Sequence, residues 1–387
     1  MLWSKSKRGV CALVAALAVL LVFAWTAVRV HYVNGGNWSV VFCIGSEFPM
    51  PPELDAGTYR VPGPGYDGQF YRLLAHDPFL GRKYARYVDA PQLRFRRLLV
   101  PLAAWLLALG QQHWIDRAYI AVEMIFLALG TYWSARLLVR RGRSPLWGLL
   151  FVVVPGTLAS FDRMLLDGPL TALFAGFMLY CEEERWNRVW VLAMLAALTR
   201  ENGVLHPAAL VAACCFHRDW RGAIRFAASG IPAFAWFGYL AVRLPANGQV
   251  NQLAIPVWGM FERLRTFRTF RDPNVQLLVR VTDFLALLGL IACMVLAVYW
   301  LRKLRFEPVP ICVGLYVCLA VVLCSPEYLI EAFGFGRPIS PLFLWIMIEA
   351  GDRKTWSALA APLSISFSLS LAFARPLITI VTALLGH

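Results

Sequence analysis

The chain has 387 residues, 59% of them hydrophobic and only 16% charged, with a mean hydropathy of +0.59. Soluble domains carry roughly 25% charged residues, so this balance excludes an ordinary soluble enzyme and puts most of the chain in a bilayer. Lysine and arginine exceed aspartate and glutamate by 37 to 23, a net charge of +14; in so apolar a chain the excess reads as loops on anionic lipid, and no nucleic-acid partner is expected.

Lys5, Lys7 and Arg8 precede an apolar run over 9–30. The run is too long for the core of a secretory signal, and no small-residue cleavage site closes it. It predicts a retained first helix with a cytoplasmic N-terminus, followed by an outer loop over 31–116. Inside that loop the apolar stretch 98–110 has 13 residues, where a spanning helix needs roughly 20. Read as an interfacial helix over 94–112, it leaves Arg140, Arg141, Arg143, Arg218, Arg221, Arg225, Arg302, Lys303, Arg305, Arg353 and Lys354 on the cytoplasmic side. That is what the positive-inside rule requires.

Further spans are predicted at about 117–138, 145–163, 168–182, 188–204, 204–217, 223–243, 277–300, 309–326, 336–350 and 355–374. The stretch 376–386 either extends the last one or is re-entrant. The expected fold is all-α: a polytopic helical membrane protein of about 11 transmembrane helices, with an outer-face loop carrying an interfacial helix. Residues 1–243 form one membrane module, and an outer loop over 244–276 leads into the C-terminal helices up to 387. The nine cysteines show no C-x-x-C pair and no Cys/His cluster at metal-ligand spacing, so neither a disulfide framework nor a zinc site is indicated.

This topology collects four segments on the outer face: the loop 31–116, the turn 162–169, the residues Arg200-Glu201-Asn202, and 327–337. In the loop stands Gly65-Tyr66-Asp67-Gly68-Gln69-Phe70-Tyr71. Asp beside Gly is cheap turn chemistry. Its place after a hydrophobic anchor and before an arginine cluster favours a membrane-surface active site. Arg94, Arg96 and Arg97, with Arg60, Arg72, Arg82 and Arg86, form either a solvated basic face or a phosphate-holding one. Arg263, Arg265, Arg268 and Arg271 make a second basic loop.

Ionisable residues at membrane depth are costly and are functional candidates. Asp162, Arg163 and Asp167 lie between two predicted spans, and Arg200 and Glu201 lie inside an apolar stretch. Adjacent residues on a helix point in different directions, so Arg200 and Glu201 each need another partner, and the Asp162/Asp167 turn is the nearest source. Structural pairing and catalysis both account for them. Arg337 opens a late span, where a snorkelling arginine is the plain account. Glu123 and Glu349 read as single polar residues without a role, and His76 as a turn residue. No nucleophile–base constellation supports hydrolysis by a triad.

The order of these motifs resembles the GT-C superfamily of polytopic glycosyltransferases, which includes protein O-mannosyltransferases and the aminoarabinose transferase of lipid A. Leu98-Leu99-Val100-Pro101-Leu102 looks like the Pro-containing juxtamembrane helix of those enzymes. Asp167-Gly168-Pro169-Leu170 resembles their Asp-x-Pro-Leu, and Leu198-Thr199-Arg200 their Leu-Thr-Lys/Arg. A closer likeness is to bacterial membrane proteins with Tyr-Asp-Gly-Gln-Phe-Tyr, here 66–71, and Arg-x-Arg-Arg-hydrophobic-Pro, here in 94–101. The likeness covers roughly residues 1–240.

The resemblance implies inverting transfer of a sugar from a polyprenyl-phosphate donor to a glycan, lipid or protein acceptor at the outer surface of the cell's inner membrane. In that reading Asp67 is the general base, and Arg97, Arg200 and Arg337 stabilise charge on the departing phosphate. Arg94, Arg96 and Asp162 join the binding site, and Tyr66, Gln69, Phe70 and Tyr71 meet sugar or polyprenyl. Asp167 and Glu201 hold the arginines or bind a divalent metal if one is used. Many members pair acidic residues in the first loop, whereas Asp67 has no acidic neighbour in sequence, so no cofactor is implied. A transporter or flippase for a lipid-linked or anionic solute is the competing reading, and a non-catalytic scaffold a third. A scaffold lets Asp67 and the arginines be replaced without loss, whereas the transferase needs Asp67.

Overall fold

The computed structural model describes residues 2–245, 258–263, 273–302, 306–323, 325–329 and 331–385. Arg265, Arg268, Arg271, Lys303, Arg305 and Cys324 lie outside the described residues. Among the described residues the chain is helical with no strand, and its β-type pairing is two isolated bridges, Ile44 with Gly65 and Gly45 with Val61.

Helix α1, Leu2–Asn34, is followed by the loop, which carries two helices of nine residues, α2 (Gly68–His76) and α3 (Leu99–Leu107). Helix α4 spans Gln112–Arg140. A 3-10 segment, Pro145–Val153, meets α5, Pro155–Arg163, at a 60° bend. Pro155 lacks the N–H that would continue the ladder, so the break falls there. Then come α6 (Asp167–Glu182), α7 (Trp186–Thr199), α8 (Leu205–Phe216), α9 (Ile231–Arg243), α10 (Pro273–Leu301), α11 (Pro308–Val322) and α12 (Ser340–Arg353). Helix α13, Ala360–Ser370, runs on through a 3-10 turn into α14, Ala374–Leu385.

Among the described residues, four stretches are long and apolar enough to cross a membrane: Lys7–Asn34, Gln112–Arg140, Val275–Leu301 and Trp356–Leu385. The bent pair around Pro155 makes up to five. Residues 376–385, the described part of the segment 376–386, thus continue the last predicted span. The other expected spans are helices of 12 to 16 residues, about 18–24 Å long against a hydrocarbon core of about 30 Å. The predicted span 223–243 is interrupted by a 3-10 turn at Ala228–Gly230.

The predicted surface helix over 94–112 is corrected to two pieces. A short turn ends at Arg94, residues 95–98 break the ladder, and α3 begins at Leu99. A helix starting there puts Pro101 in its first turn, where a missing N–H costs nothing; one starting at 94 would bury Pro101 in its interior. At about 13 Å long, α3 is far too short to span.

The chain alternates between two ends of the bundle. At one end Arg72 of α2 meets Asp116 of α4, Arg97 meets Glu201, and Trp236 of α9 donates to the Phe95 carbonyl. At the other, Arg141 pairs with Glu182 and Glu349, and Trp147 stacks on Trp356. Helices α6 and α12 sit at the centre. Every residue over 167–180 and over 340–351 is buried, as expected of helices apolar on all faces. Both begin at the loop end, so that end is floored by the most rigid part of the molecule.

Candidate functional site

A tied knot of backbone presents Asp67. Gly65 has φ +69°, a conformation that suits glycine, and the Tyr66 N–H donates to the Cys43 carbonyl at 2.9 Å. The Gln69 side chain accepts from the Gly45 N–H (3.1 Å) and donates to the Pro64 carbonyl (2.9 Å). A Cβ on Gly68 would lie 2.0 Å from the Arg163 carbonyl oxygen, so α2 packs backbone to backbone on the end of α5. Asp67 precedes α2 but caps no N–H. Its carboxylate is therefore left for other partners.

Those partners are arginines. Arg94 Nη1 lies 3.0 Å from Asp67 Oδ1, and Arg337 Nη1 lies 3.3 Å from Oδ2. Arg337 also stands 3.6 Å from Asp167, which is ion-paired to Arg200. Arg200 Nε is 3.8 Å from Glu201, and Glu201 takes Arg97 at 2.7 Å. Arg97 in turn donates to the Tyr71 hydroxyl, and Arg94 is held by Asp89 at 2.8 and 3.0 Å. The result is one alternating chain of four arginines and four carboxylates drawn from the loop, the start of α6, the end of α7 and the approach to α12. Aromatic faces frame it. Arg337 lies over Tyr66 (4.8 Å), Arg163 over Tyr66 and Phe333 (4.3 and 3.9 Å), and Arg94 over Phe70 (5.1 Å).

Exposure separates the acids. The Asp167 side chain is 1% exposed, but that of Asp67 is 17% and that of Glu201 29%. Asp67 is therefore reachable and Asp167 is not. Burial alone would raise the Asp67 pKa; Arg94, Arg337, Arg97 and Arg200 more than offset this and hold it well below the usual carboxylate range.

Of the residues expected from sequence, Asp67, Asp167, Glu201, Tyr66, Tyr71, Arg94, Arg97, Arg200 and Arg337 meet here. Two expectations are corrected. Arg200 and Glu201 are not consecutive on a helix: α7 ends at Thr199, and Arg200 is extended with φ −159° and ψ 158°. Their closest partners differ, Asp167 for Arg200 and Arg97 for Glu201, while the two side chains also lie 3.8 Å from each other. Asp162 does not serve Arg200 but pairs with Arg29 and, at 3.1 Å, Arg163. Arg96 stands aside over Phe237 (5.5 Å), with its buried Nε lacking a partner among the described residues. Gln69 serves the loop backbone, and Phe70 is buried against Phe48.

The solvated reading holds for Arg82 and Arg86, which are exposed, but fails for Arg72 and Arg60. Arg72 is bidentate to Asp116, and Arg60 binds Asp55 and two carbonyls. His76 is buried between Gln112 and Asp116, and Glu349 serves Arg141 and Arg353. Glu123 is buried with neither carboxyl oxygen bonded among the described residues. Sequence reading missed Arg29, Asp89 and the cradle that Tyr66 and Phe333 form around Arg163. An arginine in the last turns of an apolar run was the available signal for Arg29; Asp89 carried none.

An apolar groove of about 350 Å³, lined by Leu21, Trp25, Val152, Phe161 and Phe373, ends at Arg29 and Asp162. A cavity of about 610 Å³ is at the opposite end of the bundle, where Arg141 is paired with Glu182 and Glu349. Among the described residues no three His, Cys, Asp or Glu side chains converge as a metal site.

Fold and site together define a class: a protein that is helical with no strand among the described residues, which hold four or five membrane-length apolar helices and an arginine–carboxylate cluster at one end. Comparison with known proteins finds no matching family model, no matching curated protein and no matching solved structure.

Proposed function

We propose that the chain is a GT-C-like membrane glycosyltransferase that moves a sugar from a polyprenyl-phosphate donor to an acceptor at the outer face, with inversion. The observation that carries this reading is the reachable Asp67 ringed by Arg94, Arg97, Arg200 and Arg337 in one ion-pair chain. In the reaction the acceptor hydroxyl gives its proton to Asp67 as its oxygen bonds to the anomeric carbon. The bond from that carbon to the phosphate oxygen breaks on the opposite face, and its electron pair leaves with the polyprenyl phosphate. Preorganised guanidinium groups meet the charge that develops there. The groove ending at Arg29 suits the first isoprene units of such a donor. The scheme draws on arginine and routes no step through a metal. A transporter would place its charges near mid-membrane between related halves, whereas these gather at one end.

The test compares lipid-linked sugars by mass spectrometry in wild-type, deletion and Asp67→Asn strains with equal protein levels. Accumulation of one polyprenyl-phosphate sugar in both mutants, with its loss from a glycan, lipid or protein, is the expected result. A profile changed only by the deletion removes Asp67 from the chemistry and moves the transporter and scaffold readings ahead.

A further inference from the structure

A general base must have a carboxylate oxygen free to approach the acceptor hydroxyl to about 2.6–3.2 Å. Asp67 has none. Arg94 occupies Oδ1 at 3.0 Å and Arg337 occupies Oδ2 at 3.3 Å. These two arginines differ from the others in the cluster. Arg97 is fixed by Glu201 and Tyr71, and Arg200 by the nearly inaccessible Asp167. Each of the pair on Asp67 has a second anchor that would remain if it swung away. Arg94 keeps Asp89 at 2.8 and 3.0 Å, and Arg337 keeps Asp167 at 3.6 Å and the Phe333 carbonyl. Leaving Asp67 therefore strands neither as an unpaired buried charge, the event that makes breaking a buried pair costly.

We infer that Arg94 and Arg337 form a latch on Asp67 which an incoming phosphate opens, so that the base is freed only once the anionic donor is seated. The inference rests on the transferase reading and adds an order of events to it. The phosphate competes with Asp67 for the same two guanidinium groups. A bound donor therefore releases a carboxylate oxygen toward the acceptor, and an acceptor arriving first finds the base masked.

A latch makes an unusual demand: removing the negative charge of the base must improve phosphate binding. The experiment is a calorimetric titration of farnesyl phosphate into the purified full chain in dodecyl maltoside, with farnesol as the uncharged comparison. Asp67→Asn frees both arginines and is expected to bind farnesyl phosphate about tenfold more tightly than wild type, or better, while transferring no sugar. Asp89→Asn leaves Arg94 on Asp67, 3.0 Å away, so the latch stays closed and binding is not expected to tighten; a gain there equal to that of Asp67→Asn would be a general charge effect and would overturn the latch. The exposed Glu47→Gln, which also removes a loop carboxylate, is expected to change nothing.

Wild type preferring farnesyl phosphate over farnesol, with Asp67→Asn binding equally or more weakly, overturns the latch and leaves the phosphate site standing. Failure of both proteins to distinguish farnesyl phosphate from farnesol overturns the transferase reading itself. Should Asp67→Asn not fold, Asp67→Ser, which removes the same charge, carries the same test, and unchanged or weaker binding there overturns the latch.

Discussion

At the scale of single residues, exposure decides which carboxylate in the cluster is structural and which is available. Asp167 and Arg200 are 1% and 8% exposed, so their pair stands in low dielectric. Asp167→Asn would leave Arg200 with only the distant edge of Glu201 at 3.8 Å, and uncompensated buried charge costs about 3–5 kcal/mol. Asp67 is different, because its arginines keep other partners. Its lowered pKa fixes the sign of its pH dependence. An acid with a folded pKa below its unfolded value, about 3.9, contributes ionic stability that is complete above the unfolded value. That contribution is lost only as pH falls through the folded value. The melting-temperature gap between wild type and Asp67→Asn is therefore expected to stay constant from pH 8 to about 5 and to narrow only in stronger acid. Thermal unfolding in detergent at three pH values reads it; a gap closing between pH 8 and 6 would sink the account.

At the scale of elements, the site depends on α2 docking its first residue on the last carbonyls of α5. The Gly68 Cα approaches the Arg163 carbonyl so closely that an added methyl carbon would stand 2.0 Å from the oxygen and 2.9 Å from that of Phe42. Both obstacles are backbone and cannot rotate away. Gly68→Ala is expected to lower stability by about 1–3 kcal/mol and to reduce transfer by displacing Asp67. Gly57→Ala serves as comparison, since its Cβ meets nothing within 4 Å although its φ is also unfavourable at +74°. Equal melting temperatures and activity for Gly68→Ala and wild type would refute the docking argument. The Asp-Gly pair read from sequence as turn chemistry was half legible. Gly65 does make the turn, but Gly68 is there for a contact with a helix almost a hundred residues later, which local pattern does not encode. Helix positions were legible where apolar runs were continuous, as in α4 and α10. They were not where a proline sits within the run. Pro101 moved a helix start, and Pro155 bent a predicted span by 60°.

At the scale of the whole molecule, the site was legible because of the alternation of ends. Once 98–110 was read as too short to span, the loop, the turn before α6, the end of α7 and the approach to α12 had to share one end. The structure brings all four together. What the alternation could not supply was pairing within the end: that Asp162 belongs to Arg29 and Asp167 to Arg200 follows from the bend at Pro155 and the extended backbone at Arg200. The same alternation makes a claim about the bilayer. If the cluster end faces outward and the Arg141 end inward, exposed positions at the two ends lie on opposite sides of the membrane. Glu47→Cys, exposed in the loop, is expected to react with a membrane-impermeant maleimide on intact cells. Arg221→Cys, exposed just before α9 at the other end, is expected to react only after permeabilisation. Wild type sets the background from the native cysteines. Labelling of both positions on intact cells would mean that the chain crosses the membrane an even number of times between 47 and 221. Reading 98–110 as non-spanning would then be the first step to fall, and with it the outward-facing site.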